Sequence, residues 1–177
     1  MDIYNRFNLN HNSILKKLLL ILLISLGLIG CSVTEPVHLK TASHQAKKFI
    51  APPVGKSAIY IYRNSFVGAV VNRSVWIDNE CVGKIENGVF LYHEVDADKD
   101  YTIYTETEFS PYELVVHMKS GKIYFVEQKI RLGFLKANSI IELIDEKQAM
   151  PKVLLLSMGI KGDCTIVDWL SESLYLY

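Results

Sequence analysis

The chain has 177 residues, half of them hydrophobic, and a formal net charge of zero, which suits one domain of ordinary size with appendages. Residues 1–30 hold Arg6, Lys16 and Lys17 against Asp2, so the remainder carries 16 basic and 18 acidic residues. That balance excludes the basic stripe needed by a nucleic-acid binder, and the mature chain offers no polybasic cluster that would dock it on anionic lipid heads.

Lys16-Lys17 precedes a run from Leu18 to Ile29 in which only Ser25 and Gly27 are not large and apolar, and Gly30-Cys31 follows. A basic pair, an apolar stretch and small residues form the three-part pattern of a secretory signal. The stretch is too short for a permanent anchor, since crossing the hydrocarbon layer takes about 20 apolar residues. It also lacks the polar face of a buried core helix. Leu28, Ile29, Gly30 and Cys31 resemble a bacterial lipobox, in which the thiol takes up a diacylglycerol and a peptidase cuts before it. Residues 1–30 therefore read as a lipoprotein signal peptide and Cys31 as the lipidation site. Ser32 in place of Asp resembles the sorting signal for the outer membrane, so an envelope protein facing the periplasm is expected.

Residues 31–56 read as the lipidated cysteine and a tether, with two helical turns expected over 41–49 before Pro52-Pro53. From residue 57 short strand-like runs alternate with turn signals. Runs at 58–63, 73–78, 81–85, 89–95, 101–105, 112–118, 123–130, 139–144 and 152–156 are expected as strands, with 64–71 as a loop. Asn79 is expected to take a positive φ in the turn at 78–80, and Asn87-Gly88 reads as a hairpin. The fold class that follows is all-β: seven or eight short strands in an antiparallel sandwich, immunoglobulin- or transthyretin-like, or a small barrel, over residues 57–160, with short helical segments at the ends. Ile166, Trp169, Leu170, Leu174 and Tyr177 fall on helical spacing, so 161–177 reads as a C-terminal helix and tail, with Asp163 as N-cap.

The run from Pro53 to Arg63, Asp78 with Val82-Gly83, Asn87-Gly88, Ser120-Gly121-Lys122-Ile123-Tyr124 and Leu132-Gly133-Phe134-Leu135 together resemble the bacterial lipoprotein family called domain of unknown function 2846. The resemblance covers about residues 49–144. It implies an anchored β-sandwich similar to small carbohydrate- or peptide-facing modules, with no assigned activity. Asn79 stands where the family pattern has Gly, and 96–100 lacks its Pro-Gly turn.

Chemical motifs fail one by one. Gly55-Lys56-Ser57 lacks the earlier Gly of a phosphate loop, since Ile50 is there, and it precedes a strand instead of a helix. His93-Glu94 would need a second His where Ala97 stands. His93 and His117 read as solvent-facing strand residues, and no serine, histidine and carboxylate set stands out. Asp96, Asp98 and Asp100 have the spacing of calcium ligands, but Tyr101 and Thr107 occupy the Gly and Glu positions, so they read as turn residues. No metal and no cofactor are expected. Cys81 and Cys164 remain as a candidate disulfide for an oxidising compartment, closing a loop of about 84 residues. Against it, Cys81 opens a strand and nothing in the sequence brings residue 164 near.

Leu132, Gly133, Phe134 and Leu135 form the candidate recognition loop, apolar between Arg131 and Lys136. The expected function is that of a non-enzymatic, lipid-anchored module that binds another envelope protein, a glycan or peptidoglycan. The alternative is an accessory envelope enzyme, hydrolase-like, whose site is built by loops.

Overall fold

The computed structural model describes residues 16–17, 37–107, 111–132, 137–162 and 164. Of the first 35 residues it describes only Lys16 and Lys17, both helical. Among the described residues no helix is long and apolar enough to cross a membrane.

The elements, in chain order, are α1 (Val37–Ala46), β1 (Lys56–Arg63), β2 (Arg73–Ile77), β3 (Glu80–Ile85), β4 (Val89–Asp96), β5 (Lys99–Thr105), β6 (Tyr112–Met118), β7 (Ile123–Leu132), β8 (Ala137–Ile144), α2 (Glu146–Leu154) and β9 (Ser157–Met158). They form a β-sandwich with short helices: one sheet runs β8-β7-β1-β4-β9, the other β3-β2-β5-β6. The four-stranded sheet is antiparallel, as expected. The five-stranded sheet is mixed, because β1 pairs parallel with β7 and β4 parallel with β9. Consecutive strands that change sheets cannot be hairpin partners, so β1 meets a strand far along the chain.

The main core lies between the sheets. Ile59 and Ile61 of β1 meet Val75, Ile77, Ile103, Val116 and Met118 from the opposite sheet. The alternate residues of β1, Tyr60 and Tyr62, point the other way and are also fully buried. They join Phe90, Phe125, Ala46, Ala149 and Val153 in a second core, which the two helices close. This explains why β1 is apolar on both faces: it is the middle strand of a sheet covered on both sides.

Several sequence expectations change. The helix expected at 41–49 is α1, which ends earlier, and Phe49 has a positive φ of 49°. The segment from α1 to Phe49 is part of the folded body: Tyr60 Oη donates to the Ala46 carbonyl at 2.6 Å, and the Phe49 ring lies 5.3 Å from that of Tyr60. Residues 152–156 are not a strand but mostly the end of α2, which Asp145 caps by accepting from the Lys147 amide at 2.9 Å. The Lys152 ammonium reaches the buried Glu127 at 2.9 Å and pins α2 to β7. Asn87-Gly88 does not join a hairpin; β3 and β4 lie in different sheets, and this turn carries the chain between them. The positive φ at the β2–β3 turn falls on Asp78 (51°), whose carboxylate accepts from the Thr102 amide at 2.9 Å. The C-terminal helix expected beyond residue 164 lies outside the described residues.

Candidate functional site

Between β1 and β2 the chain must pass from one sheet to the other, and residues 64–72 make the crossing. A crossing loop is ordinarily polar. This one contains Phe66, Val67, Val70 and Val71, and the first three are turned outward: Phe66 is 92% exposed, Val67 53% and Val70 95%.

Its backbone is nevertheless tied down. Arg63, the last residue of β1, faces inward and is fully buried, and its guanidinium donates to the carbonyls of Gly68 and Val71. Burial and the nearby Arg73 both lower the Arg63 pKa, against an opposing pull from Glu86. An arginine stays protonated under such conditions, so it acts here as a fixed fork of donors. Two successive turns follow, with Ala69 N–H donating to Phe66 O at 3.2 Å and Val71 N–H to Gly68 O at 2.9 Å. The Ser65 amide donates to Asn87 Oδ1 at 3.0 Å, and the Asn72 amide group to Glu86 Oε1 at 3.2 Å. Gly68 has φ +67°, and a Cβ there would stand 2.5 Å from Ile130 Cγ2, so the loop presses directly on β7.

Beneath this loop the inter-sheet core turns polar. Gln128 Nε2 donates to Thr105 Oγ1 at 2.7 Å, Thr105 and Ser139 hydroxyls meet at 2.8 Å, and Ser139 Oγ reaches the Glu106 carbonyl at 2.7 Å. All three side chains are fully buried. These hydrogen bonds link β5, β7 and β8, while Gln128 Oε1 is buried without a partner among the described residues.

Cys81 and Cys164 are joined as a disulfide, with Cα atoms 5.9 Å apart. The chain after β9 explains how: Gly162 N–H donates to Val82 O at 3.1 Å, and Lys161 pairs antiparallel with Gly83. This segment covers the outer edge of β3, which would otherwise offer unpaired backbone groups.

The remaining candidates are accounted for by local partners. Gly55 N–H donates to Ser120 Oγ, Lys56 pairs with Asp96 at 2.7 Å, and Ser57 Oγ donates to the Lys119 carbonyl. Asp98 accepts from the Ser120 amide and Asp100 meets His117 at 2.7 Å, so the three aspartates face three different partners. His117 is exposed, but His93 is not solvent-facing: its side chain is 13% exposed and stands 3.6 Å from Glu80. Burial lowers the His93 pKa, with Glu80 opposing. Among the described residues no group of three His, Cys, Asp or Glu side chains is placed to hold a metal ion. An open groove of about 750 Å³ runs beside α1, walled by Leu39, Ala42, Pro52, Tyr92 and Ile160. Within it Tyr92 Oη donates to Glu94, and the Lys161 ammonium stands over the Tyr92 ring.

Of the expected site residues, Leu28, Ile29, Gly30 and Cys31 lie outside the described residues, as do Gly133, Phe134 and Leu135. Leu132 closes β7, two positions beyond the Ile130 that supports Gly68. The apolar content of residues 64–71 was the available signal for the braced loop. The segment reads as a connection in the sequence, and apolar residues in a connection are the anomaly.

The sequence model of the family described as protein of unknown function (DUF2846) matches residues 53–139, from just before β1 into β8. An uncharacterized protein of Haemophilus influenzae is 32% identical over 133 residues, covering 75% of this chain and 79% of its own length. The chain belongs to the DUF2846 family. The DUF2846 match contains Arg63, the crossing loop and the Thr105–Gln128–Ser139 layer, while α1, α2 and Cys164 lie beyond it.

Proposed function

We propose that this protein is a lipid-anchored, non-enzymatic module of the bacterial envelope that binds a partner protein through residues 65–71. The exposed, braced apolar loop carries the reading: Phe66 and Val70 stand in solvent while Arg63 and Gly68 hold their backbone in place. A loop ordered before binding loses little conformational freedom on binding. Covering Phe66 alone contributes about 1.5–3 kcal/mol, a factor of roughly 10–100 in affinity. A glycan site would place hydrogen-bonding groups beside its aromatic ring, whereas Val67 and Val70 flank Phe66 here, which favours a protein surface. The anchor rests on Leu28-Ile29-Gly30-Cys31 at the end of an apolar run, and Ser32 favours the outer membrane.

The test has two arms. Labelled fatty acid should enter the wild type and not Cys31→Ala; equal labelling would remove the anchor. Cross-linking in intact cells should trap a protein on the wild type and lose it in Phe66→Ser/Val70→Ser, with the melting curve unmoved. The same adduct at the same yield in that variant would remove the loop as the recognition surface.

A further inference from the structure

We infer that the outer surface formed by α1 and the strap after it lies directly on phospholipid headgroups of the membrane that holds the anchor. This rests on the lipidation of Cys31 proposed above and adds an orientation to it.

The first observation is length. The folded body begins at Val37, six residues after Cys31, and six residues span at most about 20 Å even when fully extended. A lipid on Cys31 therefore keeps α1 within about 20 Å of the bilayer surface, so the body has no long stalk on which to stand away.

The second is charge. The chain is neutral overall, yet no Asp or Glu occurs between Glu35 and Asp78. Leu39, Ser43 and Ala46 turn α1 onto the sheet, while Lys40 and His44 lie on its exposed side and Lys48 is exposed in the turn that follows it. Lys47 adds a further ammonium, placed over the Phe90 ring. Lys56 is paired with Asp96, and Glu94 and Lys161 share the groove beside α1, so Lys40, Lys47 and Lys48 leave this surface with a net positive charge. A lysine near an anionic leaflet favours the bound state by about fivefold.

The third is the apolar strap. Ile50 is 68% exposed and Val54 97% exposed, next to those lysines in sequence and before β1. Lysines flanking outward aliphatic side chains suit the interfacial zone, where ammonium groups meet phosphates and apolar groups enter the acyl boundary by about 5–10 Å.

The test compares two positions that are equally open in the free body, Val54 (97% exposed) and Val70 (95%). Full-length lipidated Val54→Cys and Val70→Cys, each spin-labelled, are placed in vesicles of phosphatidylethanolamine and phosphatidylglycerol, and collision with an aqueous nickel chelate is measured. The label at 54 should be severalfold less accessible than that at 70. Adding Lys40→Glu and Lys48→Glu, both at exposed positions, should restore accessibility at 54 without changing the melting temperature. Equal accessibility at the two positions, or shielding at 54 that survives the charge reversal, would overturn the inference. Fatty acid on Cys31 is assayed in the same samples: its absence removes the anchor and the inference together. Its presence with an open position 54 removes the inference alone.

Discussion

Arg63 is the residue on which the loop's shape depends, because its buried guanidinium holds the carbonyls of Gly68 and Val71 together, and the Gly68 carbonyl has only the Val71 amide as a further hydrogen-bond donor among the described residues. Removing it deletes two charge-assisted hydrogen bonds and leaves the carbonyls of Gly68 and Val71 without their side-chain donor. Arg63→Ala should therefore cost about 3 kcal/mol and speed amide exchange of residues 65–71. Arg63→Lys should recover only part of the loss, since one ammonium cannot copy a planar fork aimed at two acceptors. Thermal unfolding and hydrogen exchange on the three proteins check this; full rescue by lysine would show that charge alone braces the loop. The same residue shows why a motif search passes over such a site. Arg63 reads in the sequence as the polar end of a strand, and its role depends on inward orientation and on a loop that folds back over it.

At the scale of elements, the described part of the tail after β9 is tied to β3 by the disulfide and by backbone contacts at Val82 and Gly83, and to β4 by the Gly159 amide, which donates to the Phe90 carbonyl at 2.8 Å. The disulfide closes a loop of about 84 residues, worth about 4 kcal/mol by the chain-entropy relation, so Cys81→Ser should lower the melting temperature by roughly 10 °C. Peptide mapping without reductant should find Cys81 linked to Cys164, and an unchanged melting point on reduction would show the bond to be idle. Much of the element pattern was legible, and the exceptions have physical causes. The strands from β1 to β8 announce themselves by β-branched and aromatic runs between turn residues. Strand pairing does not: Asn87-Gly88 supplies the positive φ of a tight turn equally well whether the chain reverses in one sheet or crosses to the next, and Gly88 (φ 83°) does the latter. The run Lys152-Val153-Leu154-Leu155-Leu156 has the composition of a strand, and only Asp145 with Gln148 three residues on marks the helix start that precedes it. Mixed pairing was not legible either, because the β1–β7 contact joins strands separated by most of the domain.

For the whole molecule, β1 separates the two surfaces that matter. Its eight residues rise about 3.3 Å each, so the strap before Lys56 and the loop after Arg63 are roughly 25 Å apart along the strand. The electrostatic reach of a charged leaflet is about 8 Å at physiological ionic strength, well short of that separation. A membrane contact at the strap and a protein contact at the loop should then act independently, as substitutions more than about 10 Å apart ordinarily do. Phe66→Ser/Val70→Ser should lose the cross-linked partner and leave the label at position 54 as shielded as before. The Lys40 and Lys48 reversals should expose position 54 and leave the cross-link yield unchanged. The informative failure is a crossed effect. If the loop double variant exposed position 54, the exposed Phe66 and Val70 would be holding the body to lipid, and one continuous surface would face the bilayer. If each variant moves only its own readout, the strand separates an anchored end from a recognising one.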